Sequence, residues 1–291
     1  MSFLGIVFLF FIAVLPSVLG MYLLYRQNAR RQIESRWQEL LKLNALASAV
    51  KSSPVIPDDL PPPVKRYFEK VLPPDFKRIT QAQLLHEGDL KIHPNAKYGS
   101  LFSSRSLITN SEPGFLWDAK VKLLRGVHVR VADSYIRGAG EGQVFFQSAF
   151  KLGSDGHHPK INEAALYRYL AESPWHPTSL LPENGVTWQA MNDTTALARF
   201  SAHGLTIALQ FRFNEADEIE GIYTQNRYGK FGKEYERHPW EGKFANYHRF
   251  HGFLIPTEAE VGWHLPDGWW LFWRATLTAV AYHFQKAPNS E

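Results

Sequence analysis

Leu205-Thr206-Ile207-Ala208-Leu209-Gln210-Phe211-Arg212-Phe213 is the stretch that decides the fold. Its large apolar side chains fall at every second position, with Thr206, Ala208, Gln210 and Arg212 between them. Successive side chains of a strand point to opposite faces, so this period predicts a strand with one buried face. Working outward, the same period governs Phe115, Trp117, Ala119, Val121 and Leu123, set against Asp118, Lys120 and Lys122. It recurs in Ile255, Thr257, Ala259, Val261 and Trp263, set against Glu258, Glu260 and Gly262. Turn signals separate the runs, among them Glu112-Pro113-Gly114, Ser154-Asp155-Gly156, His203-Gly204 and Pro266-Asp267-Gly268. The pattern predicts about ten antiparallel strands from Ile79 onward.

One helix interrupts them, over residues 162–173, with Asn162 as its cap and Glu163 in its first turn. Pro174-Trp175-His176-Pro177 ends it. Strands, a helical insert and further strands predict a mainly β, α+β fold. Its body is a large curved antiparallel sheet with covering helices, an open or half barrel because helices fill the mouth. A closed barrel of lipocalin type is the alternative.

Ahead of this domain, Phe3 to Tyr25 carries no charge. As a helix it reaches about 35 Å, enough for a hydrocarbon core of roughly 30 Å. It therefore predicts a transmembrane helix in contact with the bilayer through residues 3–25. A cleaved signal peptide needs a basic start, and only Met1-Ser2 precedes the run. Arg26, Arg30, Arg31 and Arg36 follow it. The positive-inside rule then gives a single-pass protein of the inner (cytoplasmic) membrane with its soluble domain in the cytoplasm. The periplasm is the alternative, since long domains translocate despite flanking charge. Residues 27–51 extend the helix as a stalk striped by Ile33, Trp37, Leu40, Leu41 and Leu43. It either continues the membrane helix or lies along the interface with Trp37 dipping in. Pro61-Pro62-Pro63 starts a short helix over residues 60–72. The expected division is 1–53 membrane helix and stalk, 54–78 linker and short helix, 79–285 β domain, and 286–291 tail.

Composition removes several functions. The 291 residues include no cysteine, which excludes disulfides, thiolate metal sites and thiol nucleophiles. The formal charge of +4, much of it beside the anchor, gives nucleic acid no footprint. No G-x-S-x-G elbow occurs. Gly138-Ala139-Gly140-Glu141-Gly142 lacks the Lys-Ser/Thr of a phosphate loop and reads as a strand junction. His248 and His251, three apart on a strand, face opposite ways and do not converge on a metal. No metal and no cofactor is expected.

Two sets of residues remain as candidates. Asp118 lies on the face opposite Trp117, while Glu258 and Glu260 share a face about 7 Å apart. Such carboxylates suit a hydrolase, or a solvated outer face paired with Arg199 or Arg212. The second set is aromatic. Trp269-Trp270-Leu271-Phe272-Trp273 puts aromatics on both faces of one strand, and both faces cannot meet the same core. A half barrel enclosing an apolar cavity would line it with Trp117, Trp175, Phe211, Phe213, Trp263 and Trp273.

Four stretches carry a resemblance: LPPPVKRYFEKVLPP (60–74), PGFLWDAKV (113–121), LYRYLAESPWHPTSLLP (166–182) and GFLIPTEAEVGW (252–263). On them the chain resembles an uncharacterised bacterial family of membrane-anchored domains of unknown function, over most of Leu60 to Tyr282. More distantly, IPTEAEV followed by a long closing strand looks like the lipoprotein-carrier (LolA/LolB-like) half-barrel fold. That second resemblance implies an apolar cavity for acyl chains, and a place outside the cytoplasmic membrane that conflicts with the arginines. The expectation is therefore a membrane-anchored protein that binds a lipid or other apolar ligand and is not an enzyme. A carboxylate-dependent hydrolase and a structural or interaction domain without a ligand are the alternatives.

Overall fold

The computed structural model describes residues 3–47, 53–94 and 96–285, with side chains from residue 14 onward. The expected tail at 286–291 and the last residues of the stalk, 48–52, lie outside the described residues. A 45-residue helix α1 (Phe3–Ala47) is followed by α2 (Pro62–Val71). Six strands come next: β1 (Ile79–Leu90), β2 (Ser100–Thr109), β3 (Gly114–Leu124), β4 (Val127–Ile136), β5 (Ala139–Phe146) and β6 (Phe150–Gly156). Helix α3 (Pro159–Ala171) leads into three single 3-10 turns, Ser173–Trp175, Pro177–Leu180 and Pro182–Asn184. Seven more strands complete the fold: β7 (Val186–Asn192), β8 (Thr195–Ala202), β9 (Leu205–Phe213), β10 (Ile219–Phe231), β11 (Glu234–Phe250), β12 (Phe253–Leu265) and β13 (Gly268–Phe284).

All thirteen strands form one antiparallel sheet in the order β6-β5-β4-β3-β2-β1-β13-β12-β11-β10-β9-β8-β7. The chain meanders from the centre to one edge, crosses to the other edge through α3 and the 3-10 turns, and meanders back until β13 pairs with β1. The edges β6 and β7 do not pair with each other, so the closed lipocalin alternative is corrected to an open sheet. The sheet nevertheless curls. Helix α3 touches both β4–β5 and β9–β10. In a flat sheet β4 and β10 would stand seven spacings apart, about 34 Å. Side chains bridge the two arms: the Tyr135 hydroxyl and His203 Nδ1 lie 2.9 Å apart, and Lys230 and Tyr235 both bond to Asp155.

The main core fills the inner face of this trough. Ile207, Leu209, Phe211 and Phe213 point into it, as the alternation of β9 requires. Prolines open α2, where their missing N–H and fixed φ suit a first turn, and Val64, Tyr67, Phe68 and Val71 bury its inner side. Helix α3 begins earlier than the sequence suggests. His158 is its cap, accepting from the Lys160 amide, while Asn162 turns away and accepts from the Gly140 amide at 2.9 Å. Gly140 is required there, since a Cβ would stand 2.8 Å from the Ile161 carbonyl and 3.0 Å from the Ala165 methyl.

The stalk is the largest departure from expectation. The C-terminal half of α1 docks on the outer face of β2–β5, where Ala29, Ile33, Trp37 and Leu40 pack on Leu107, Leu116, Ala132 and Phe145. Trp37 is buried under the Arg105 guanidinium, 4.6 Å from its ring, rather than dipping into an interface. Arg36 bonds to Glu141 at 2.5 Å and Arg105 to Glu34 at 3.3 Å. This docking explains why β3 is buried on both faces, Leu116 and Asp118 included, although its alternation implied a solvated outer side. Among the described residues no helix is long and apolar enough to cross a membrane. The span expected at Phe3–Tyr25 is thus not shown, and the side chains of its residues 3–13 lie outside those described.

Candidate functional site

Between the crossover and the sheet lies a cavity of about 150 Å³. Trp117 of β3, Trp175 of the first 3-10 turn, Trp240 and Phe244 of β11, and Phe272 and Trp273 of β13 supply its aromatic wall. Trp175 is fixed from two sides: its indole N–H donates to the Pro256 carbonyl at 3.0 Å, and its own carbonyl accepts from the Tyr282 hydroxyl at 2.6 Å. Its ring meets Phe244 edge-on at 5.8 Å and Trp273 at 6.4 Å. Trp273 in turn stacks on Phe102, which meets Trp117 edge-on at 5.7 Å.

The aromatic run of β13 is resolved by a bulge. The register passes from Val261–Trp273 to Gly262–Leu271, which leaves Phe272 as the extra residue. Phe272 and Trp273 therefore both line the cavity, and Trp270 pairs with Trp263 on the same side. Trp269 faces outward against His264 and Lys243. Both faces are aromatic by sequence, yet the bulge gathers three of the four rings onto one.

Of the six aromatic residues expected to line a cavity, Trp117, Trp175 and Trp273 do so. Phe211 and Phe213 instead belong to the filled core, against Trp188 and Tyr67 respectively. They lie toward the β7 edge, in the cluster that α2 and the 3-10 turns complete. Trp263 stands one layer back, edge-on to Phe231 and tilted on Trp240.

A polar rim, absent from the sequence reading, completes the site. Arg168 of α3 donates from Nη1 to Asp133 at 2.9 Å and from Nε to Glu172 at 2.6 Å. Its guanidinium lies 4.8 Å from the Phe115 ring centre and 5.2 Å from that of Trp117. Burial disfavours its charge, but Glu172 and Asp133 outweigh burial and raise its pKa. Arg227 of β10 donates from Nε and Nη2 to the Ala164 carbonyl at 3.3 and 3.1 Å, over the rings of Trp240 and Trp263. A charged residue inside the apolar run Leu166-Tyr167-Arg168-Tyr169-Leu170 was a usable signal for Arg168. Arg227, in a polar stretch, gave none.

The candidate carboxylates lie elsewhere, on the outer face. Asp118 accepts from Arg130 at 2.6 and 2.7 Å and from Arg105 at 2.9 Å. Burial alone would raise its pKa, but the two arginines outweigh that and hold its carboxyl below the usual range. It anchors the arginine that clamps Trp37. Glu258 and Glu260 do share a face, beside Glu87 and Asp89. Their partners are Asn246 and Lys243, at 3.3 and 3.5 Å, rather than Arg199 or Arg212; Arg212 bonds to Glu241. Asp118 on β3 and Glu258 on β12 are four strand spacings apart, about 19 Å, and do not come together. Among the described residues no group of three His, Asp or Glu is placed to hold a metal.

The chain belongs to DUF6920, a family of unknown function, which matches residues 58–282. The match begins after α1, close to the Leu60 to Tyr282 extent that the sequence motifs imply. No curated protein matches the sequence significantly. Among solved structures the chain is similar to a protein domain from Vibrio parahaemolyticus titled for outer membrane lipoprotein sorting, with 10% identity, TM-score 0.37, and 72% and 88% of the two chains covered. A LolA superfamily protein from Nitrosomonas europaea has 10% identity, TM-score 0.36, and 78% and 94% covered. A β-barrel-like DUF1849 protein from Brucella abortus has 10% identity, TM-score 0.23, and 72% and 100% covered. At such superposition these likenesses decide nothing about ligand or activity.

Two histidines tie the site to pH. His86, its ring tilted against Trp175 at 4.7 Å, and His176 are buried, and no ring nitrogen of either has a hydrogen-bond partner among the described residues. Burial, joined at His86 by the charge of Arg168, pushes both down to about 3. Unfolded, each takes its proton near 6.5. The unfolded state thus binds more protons between pH 6.5 and 3, and stability falls as pH drops through that window, by up to about 1.4 kcal/mol per unit per histidine. Denaturant titrations from pH 7 to 4 should show this slope, made shallower in His86→Phe by up to about 1.4 kcal/mol per unit. An unchanged slope in the variant contradicts the assignment.

Proposed function

We propose that this member of DUF6920 is a membrane-tethered binding protein that holds a lipid or other apolar ligand beneath the crossover. The observation that carries the reading is the aromatic cavity, whose rings come from three separate strands and a 3-10 turn. Convergence of rings from distant parts of the chain, with space left between them, is the usual form of a small-molecule site. A volume near 150 Å³ accommodates a ring or a short alkyl segment, comparable to a cavity that takes benzene. A longer chain requires α3 to shift. The polar bonds along α3, from Arg227 to Ala164, Arg237 to Glu163 and Arg168 to Asp133, can re-form after such a shift more readily than a fully interlocked core.

Native mass spectrometry of the full chain with decanol tests the reading. The wild type should retain the alcohol, and Ala171→Phe, which puts a ring into the cavity, should lose it while keeping a cooperative unfolding transition. Absence of any adduct in the wild type, or equal retention in the variant, counts against it.

The tether rests on the sequence: the uncharged run Phe3 to Tyr25 and the arginines after it. These arginines support a domain on the cytoplasmic side of the inner membrane. Arg36 contributes less to that argument than its position suggests, because Glu141 neutralises it within the domain. A reporter fused after Glu291 should be active only in the cytoplasm; activity only in the periplasm would place the domain on the other side.

A further inference from the structure

We propose that the ligand is a single-chain carboxylate, and that Arg227 receives its head group at the cavity wall; this rests on the apolar-ligand reading above. The argument begins with charge. Four ionisable side chains line the cavity: Asp133, Arg168, Glu172 and Arg227. Both acids bond to Arg168. Arg227 is left with a backbone carbonyl and two indole faces, and no carboxylate pairs with it among the described residues. Burial, together with the like charge of Arg168, pushes its guanidinium down to about 9, and the more distant Asp133 and Glu172 only partly offset this. It stays charged at neutral pH, so the cavity wall carries a cation without a paired anion.

Neutral donors add to it. The indole nitrogens of Trp117 and Trp240 are buried and lack a hydrogen-bond acceptor among the described residues, and both residues line the cavity. Arg227 lies 4.3 Å from the Trp240 ring centre. Buried N–H groups without acceptors are uncommon in a finished core. A carboxylate suits this wall because it only accepts, through two oxygens, and because bonds to an ionised group are about twice as strong as neutral ones. An alcohol could accept from the indoles but would leave the guanidinium uncompensated. A phosphate dianion would bring a second negative charge toward Asp133 and Glu172, which already hold Arg168.

The test is calorimetric titration of the full chain with decanoate and decanol, each below its aggregation threshold. The wild type should bind decanoate at least about tenfold more tightly than decanol. Arg227→Gln should abolish the preference, bringing decanoate to the variant's own affinity for decanol, and Arg227→Lys should keep part of it. Equal wild-type affinities overturn the carboxylate while the apolar-ligand reading stands; binding of neither removes both. A preference that survives Arg227→Gln removes Arg227 as the receiver. Should Arg227→Gln fail to fold, the wild-type ratio still decides the charge of the head group, and Arg227→Lys decides the role of the residue.

Discussion

The crossover between the unpaired edges β6 and β7 is the constraint on which the molecule depends. Two meanders that leave the centre of one sheet end about as far apart as the sheet is wide. The chain must return across the inner face, and α3 with its three 3-10 turns is that return. A helix that touches β4–β5 and β9–β10 at once holds the sheet curled, and a curled sheet needs no pairing of its edges to enclose a core. Connection, cover and curvature are therefore one feature. The cavity follows from it, since a straight helix laid across a trough of large rings leaves space where its end turns into Trp175.

The two sheet faces use arginine differently. On the outer face, Arg105 and Arg130 neutralise Asp118, and Arg105 also caps Trp37, so charge there seals α1 to the sheet. On the inner face, Arg168 is neutralised twice and Arg227 by no carboxylate among the described residues. An arginine over indole faces that also donates to a backbone carbonyl is well packed, but its charge is compensated only by polarisable neighbours. That asymmetry distinguishes the inner site from the outer ion pairs.

The β domain was legible because period-two alternation survives in Leu205–Phe213, Phe115–Leu123 and Ile255–Trp263 whatever packs on them. The open architecture followed from the insert between strand runs. Three features were not legible, each for a physical reason. Docking of α1 on β3 depends on contacts between residues some eighty positions apart, such as Ile33 and Leu116, and an amphipathic stripe does not say what it will meet. The bulge at Phe272 changes which rings face inward, and no local pattern marks it. Arg227 looks like an ordinary surface residue until the curl of the sheet brings α3 over it. Three of the six expected aromatic residues lie away from the cavity for the same reason: alternation shows that Phe211 and Phe213 point inward but not whether a helix or a space lies opposite.

The central claim, an apolar site formed by the crossover, is tested most directly by hydrogen exchange on the full chain with and without decanoate. The account predicts that added ligand changes exchange in α3 and in the strand segments around Trp240 and Trp273, while the α1-facing residues of β2 and β3 keep their rates. Changes confined to α1 and the outer face, with α3 unaffected, would contradict it.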